Sequence, residues 1–201
     1  MLLKGKNHKK KSGILLAVSS LPSKYGIGSL GYEAFRFVDF LKKTNQSYWQ
    51  MLPLCPVGKG NSPYSSLSTF AGEILYIDID LLVENGLLTD TDIPPCEFPK
   101  NTDYNLCSKF KLPLLRKAAD NFDINSKDFI NFKNKNGYWL KNYCLFMALR
   151  DTFSSNNFLD WDTPFKFRFE NALKKFANKH KKEILFYEIT QFLFYSQFYA
   201  L

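Results

Sequence analysis

The sequence predicts an α/β fold built on a parallel sheet. Gly13-Ile14-Leu15-Leu16-Ala17-Val18-Ser19 and Tyr48-Trp49-Gln50-Met51-Leu52-Pro53-Leu54 are continuous apolar runs of strand length. Between them, Tyr32–Lys43 places Phe37, Val38, Phe40 and Leu41 at helical spacing. Strand, helix and strand within about 45 residues make a βαβ unit, whose two strands must run parallel. Runs without polar alternation suit strands buried on both faces.

Taken in order, residues 1–11 read as a basic lead-in. No apolar segment before a cleavage site follows Met1-Leu2-Leu3-Lys4, so no signal peptide is expected and the cytoplasm is the default. Ser20 to Gly28 is a loop, punctuated by Pro22 and two glycines. After the second strand comes Gly58 to Gly72, rich in Gly, Ser and Asn, yet carrying Tyr64 and Phe70. A polar loop with a presented aromatic at a strand end is the makeup of a ligand platform. The alternative is a surface turn whose Tyr64 packs on the domain, and composition alone favours the turn. Ile74 to Asp80 alternates weakly, and Asp80 would cap a short helix, Leu81 to Asn85, closed by Gly86. Residues 89–105 read as loop. Four helices are expected at 112–122, 126–133, 137–152 and 165–179. A last one, Glu183 to Leu201, is apolar on nearly all sides, which implies burial on all sides. It has no terminal Gly, Lys or Arg, so the chain reads as unfinished there.

At 201 residues and 45% hydrophobic content the chain fits one domain, or part of a larger one, with a packed core. The net charge of +8 raises nucleic acid as a partner, but the basic residues are spread out and no recognition module is present, so none is expected. The four cysteines, Cys55, Cys96, Cys107 and Cys144, form no C-x-x-C pair. With only His8 and His180 beside them a zinc site is not expected, and free, mostly buried thiols in a reducing compartment are the simpler reading. No run of about 18 uninterrupted apolar residues suggests a membrane span.

Gly26-Ile27-Gly28-Ser29-Leu30-Gly31 matches the dinucleotide-binding pattern of glycines. Pro22 to Tyr25 nevertheless separate it from the strand, and the next strand lacks the acidic residue that would meet a ribose. No cofactor is therefore expected. No G-x-S-x-G elbow supports a nucleophilic serine. Asp78 with Asp80, and Glu33 with Asp39, sit as neighbours on single elements, whereas a glycosidase pair faces itself across a cleft, so solvated or capping acids are the better reading.

A wider set of segments carries more. Lys11-Ser12-Gly13-Ile14-Leu15-Leu16, Ser19-Ser20-Leu21-Pro22-Ser23, Tyr25-Gly26-Ile27-Gly28, Tyr48 to Leu54, Asn61-Ser62-Pro63-Tyr64 and Ser68-Thr69-Phe70-Ala71-Gly72 together resemble the 4-alpha-glucanotransferases, the amylomaltase or disproportionating-enzyme family. Trp139-Leu140-Lys141-Asn142-Tyr143, Phe146-Met147-Ala148-Leu149, Trp161 and Gln191-Phe192-Leu193-Phe194 with Gln197 extend the resemblance to Leu201. It implies a (β/α)8 barrel with a helical insertion at about residues 75–180, with residues 12–201 forming the N-terminal part of that barrel. It also implies transfer of α-1,4-glucan segments between maltooligosaccharides, or to glucose, with retention. The family's Asp nucleophile, Glu acid/base and stabilising Asp would lie beyond Leu201, so no catalytic residue is carried over and this chain alone would be inactive. Ser62 and Tyr64 match the Ser and Tyr that line the family's cleft at the cleaved bond. A non-catalytic carbohydrate-binding fragment is the alternative. Departures are Asn61 for the usual Asp, Ser65 for the common Gln, and Glu73-Ile74 for the common Asn-Pro.

Overall fold

The computed structural model describes residues 10–201; most of the basic lead-in, His8 included, lies outside the described residues. Strands β1 (Gly13–Leu15) and β2 (Tyr48–Gln50) pair in parallel, with Gly13 opposite Tyr48 and Leu15 opposite Gln50. Helix α1 (Tyr32–Lys43) connects them, as the βαβ reading required. Its inward line runs Ala34, Phe37, Val38, Leu41, buried at Ala34 and Leu41 and half-buried at Phe37 and Val38, while Phe40 is turned outward. Trp49 closes the unit: its ring meets Phe37 edge-on and its indole N–H donates to the Leu16 carbonyl at 2.8 Å.

Burial of the strands on both faces is not met. Leu15 and Tyr48 are each 57% exposed, and each strand has one partner among the described residues. A ladder with one neighbour per strand leaves its outer edges and half its side chains open.

Beyond β2 the structure is helical. Asp78, not Asp80, caps α2 (Ile79–Glu84), accepting from the Leu81 N–H at 3.0 Å; Gly86 closes it with φ of +70°. Helix α3 (Tyr104–Asp120) begins two turns ahead of the predicted start, because Asp103 accepts from the N–H groups of both Asn105 and Leu106. The helices expected at 126–133 and 137–152 are one, α4 (Lys127–Phe153). Gly137 costs a helix about 1 kcal/mol. Burial of Phe129, Trp139, Leu140, Tyr143 and Met147 along one side overrides it. The helix expected at 165–179 is two, α5 (Thr163–Lys166) and α6 (Glu170–Lys179), broken where Arg168 takes a left-handed φ of 55°. Helix α7 (Lys181–Ala200) runs through the centre, packed on α3 and α4. It is buried on all sides from Phe186 to Gln191, as its composition implied, and emerges toward Tyr199.

Cys107 and Cys144 are buried, Cys55 is half-buried and Cys96 is exposed; all four are free thiols. No helix among the described residues is long and apolar enough to cross a membrane.

Candidate functional site

The loop from Gly58 to Gly72 leaves β2 through a pinched neck. Val57 and Ser66 form an antiparallel bridge, the Gly58 N–H donates to Ser65 O at 2.6 Å, and the Leu67 N–H donates to Pro56 O at 3.3 Å. At the tip, the Ser65 N–H donates to Ser62 O at 3.1 Å, closing the turn Ser62-Pro63-Tyr64-Ser65. Proline in the second position pre-sets such a turn. Gly60 and Asn61, both at positive φ, lead into it. The Ser62 Oγ accepts from the Tyr64 N–H at 3.3 Å. Both residues the resemblance implies for sugar contact thus share one turn. Tyr64 is 76% exposed, so the expectation that it packs on the domain fails. The returning arm is fixed differently: Ser68 Oγ accepts from the Phe70 and Ala71 N–H groups, and Phe70 rests against Tyr138 and Trp139 of α4.

Two buried polar side chains, Glu73 and Gln191, anchor this loop. Glu73 accepts from the Val57 N–H at 2.9 Å and from the Leu75 N–H at 3.1 Å, so it ties the loop's exit to its entrance. Burial raises its carboxyl above the usual carboxylate range, against the pull of those N–H groups, Arg150 and Lys111. Gln191 of α7 accepts from the Gly72 N–H at 2.7 Å and donates to Gly72 O at 2.9 Å. One turn and a half further on, Gln197 accepts from the Asp78 N–H at 2.7 Å and donates to Asp78 O at 3.2 Å. These residues were not singled out as functional from the sequence. The available signal was polar side chains inside an apolar helix, since buried polar groups are the informative exceptions.

Beneath the loop lies a cavity of about 190 Å3 bounded by Val57, Asn61, Glu73, Tyr104, Tyr143 and Arg150. The Tyr143 hydroxyl is buried with no hydrogen-bond partner among the described residues. Arg150 is held by Asp151 at 2.7 Å and by the Tyr187 hydroxyl at 3.1 Å.

Of the carboxylates considered from sequence, Asp78, Asp80 and Glu33 are occupied structurally, while Asp39 is exposed on α1. Asp78 caps α2 and accepts from Ser29 Oγ at 2.5 Å. Asp80 accepts from the Tyr25 hydroxyl at 2.6 Å and pairs with Lys24 at 2.9 Å, and Glu33 pairs with Arg36. Asp78 and Asp80 share no strand face, because one is a cap and the other lies in the first turn of α2. The glycine pattern 26–31 is closed by protein as well: a Cβ on Gly31 would overlap the Asp78 carboxylate, which would also repel a pyrophosphate. What remains is a surface suited to a neutral polyhydroxylated ligand, an exposed ring beside a hydroxyl on a braced loop.

Comparison with known proteins identifies the family. A family model described as 4-alpha-glucanotransferase matches residues 16–201. The chain is 38% identical to a 4-alpha-glucanotransferase of Streptococcus pneumoniae over 96% of its own length and 39% of that protein's. It is 42% identical to a 4-alpha-glucanotransferase of Aquifex aeolicus over 92% of its own length and 38% of that one's. Among solved structures, the amylomaltase from Streptococcus agalactiae in complex with acarbose superposes with a TM-score of 0.89 at 34% identity, covering 96% of this chain and 40% of that one. The chain thus spans about two fifths of the length of the curated relatives it matches. On the residues matched and the fold shared, this chain belongs to the 4-alpha-glucanotransferase family.

Proposed function

We propose that this chain forms the N-terminal part of a retaining 4-alpha-glucanotransferase and supplies the sugar platform of its active site. β1 and β2 are the first two strands of a (β/α)8 barrel, and residues of about 75–180 form a helical insertion beside it. The reaction passes a glucan from one maltooligosaccharide to another sugar. Tyr64 stacks on the C–H face of the sugar next to the cleaved bond, and Ser62 orients a hydroxyl of that sugar. The catalytic carboxylates belong to the part of the relatives that this chain does not span. Four free thiols fit a reducing, cytoplasmic setting.

The observation that carries this reading is the exposed Tyr64 ring on a loop held at its neck and both ends. In a complete enzyme containing this segment, Tyr64→Ala should lower kcat/KM on maltotriose by about 10- to 100-fold, the equivalent of a lost aromatic contact of roughly 1–3 kcal/mol. Its unfolding midpoint should stay put, because the exposed ring contributes little to folding. Unchanged kcat/KM would defeat the assignment. The chain by itself should release no glucose and form no longer glucans from maltotriose.

A further inference from the structure

We infer that Gln191 is a positioning residue for the sugar platform: its side-chain amide clamps the Gly72 backbone and thereby sets where Ser62 and Tyr64 stand. The amide donates to the Gly72 carbonyl at 2.9 Å and accepts from the Gly72 N–H at 2.7 Å, so it meets both backbone groups of one residue, with Gln191 fully buried. A neutral amide matched in this way gives both its oxygen and its nitrogen a partner. Phe194, one turn on, reinforces it from the same helix face: a Cβ on Gly72 would overlap its ring, so the Gly72 backbone lies flat on α7. The next residue, Glu73, carries the constraint across the loop to Val57. A short chain of contacts, α7 to Gly72 to Glu73 to Val57, therefore fixes both ends of the segment that ends in the Tyr64 turn.

Gln197 provides an internal control. It makes the same two-bond clamp on Asp78, in the same helix and nearly as deeply buried. Asp78 leads instead to α2 and, through Ser29, to the first loop. If the glutamines merely hold the fold together, replacing either should have one outcome. If Gln191 positions the platform, the two replacements should loosen different segments.

The experiment is hydrogen exchange on the chain, without sugar. Gln191→Met should speed exchange of the peptide spanning 57–73 at least 10-fold and leave α4 unchanged. Gln197→Met should speed exchange around 76–84 and leave 57–73 as in wild type. Gln191→Glu separates clamping from bulk. Its protonated acid keeps a carbonyl to accept from the Gly72 N–H and an O–H to donate to Gly72 O, whereas its carboxylate loses the donor and is a buried charge. Exchange of 57–73 in Gln191→Glu should match wild type at pH 5 and approach the Met variant at pH 8. Protection is compared with wild type at each pH, so the titratable groups around the clamp are common to both: Glu73, Tyr195, and the Glu188–Lys133 pair. Equal effects of Gln191→Met and Gln197→Met on all segments, or no effect of Gln191→Met on 57–73, would overturn the inference. Should Gln191→Met fail to fold, the pH-dependent protection of Gln191→Glu decides alone, and protection that does not change with pH overturns it. Its functional meaning rests on the platform reading, but exchange needs no ligand. A clamp that works beside a Tyr64→Ala that changes nothing would sink the platform and spare the clamp.

Discussion

Lys111 is fully buried in α3 with its ammonium donating to Leu75 O at 2.5 Å. Desolvation lowers its pKa from the ordinary 10.5 to about 8, despite the favourable fields of Asp78, Cys107 and Glu73. The shift makes a testable statement about stability. Between pH 8 and 10.5 the unfolded chain holds a proton on this amine that the folded chain has released. Stability contributed by this group must therefore rise with pH across that window. Two to three pKa units correspond to roughly 3 kcal/mol in full, of which about 1 kcal/mol is recovered between pH 7 and 9. Lys111→Met keeps the chain length and removes the charge. The stability of wild type relative to the Met variant should increase by about 1 kcal/mol from pH 7 to pH 9, read from urea unfolding at each pH. Groups that Lys111 does not influence, such as the buried thiol of Cys144, cancel in the difference. A difference that stays flat or falls with pH would refute the assignment of a desolvated amine.

Three further outcomes are expected. Asp103→Ala removes the cap of α3 and should cost about 1 kcal/mol in the same unfolding assay; no change would mean the cap is redundant. Gly72→Ala, forced into the Phe194 ring, should cost about 1–3 kcal/mol, and adding Phe194→Leu should recover part of it; a neutral Gly72→Ala would show that Phe194 moves freely. The exposed sheet residues Leu15 and Tyr48 should make the isolated chain associate in size-exclusion chromatography, and Leu15→Lys with Tyr48→Lys should shift it toward monomer. A wild-type monomer with one sharp unfolding transition would refute the reading of the sheet as part of a larger barrel.

The sequence carried the local parts of this architecture well. Helix α1 was legible to its ends, because its apolar spacing and the glycine before it are local signals. The Tyr64 turn was half legible: Ser62-Pro63 marks a turn, but whether the ring points in or out depends on what lies beneath. The break at Arg168 had no signal, since arginine does not favour positive φ and tertiary packing imposes it. The merger through Gly137 was hidden for the opposite reason, as burial outweighed a local breaker. The supports of the Gly58–Gly72 loop were the least legible. Glu73 sits where a departure from the family pattern was noted without a role, and Gln191 meets Gly72 from the far end of the chain.

That distance has a consequence for how the protein is made. Each glutamine clamp joins positions 119 residues apart. Closing a flexible loop of that length carries an entropic cost of order 4 kcal/mol, so local structure has to form first. During synthesis the Tyr64 segment leaves the ribosome long before α7 exists to hold it. Helices α3 and α4 find their main partner in α7 as well, so they wait for the same element. The Tyr64 segment is therefore held only once α7 has been made, and a nascent chain paused ahead of α7 should present both this segment and the α3–α4 region to proteases.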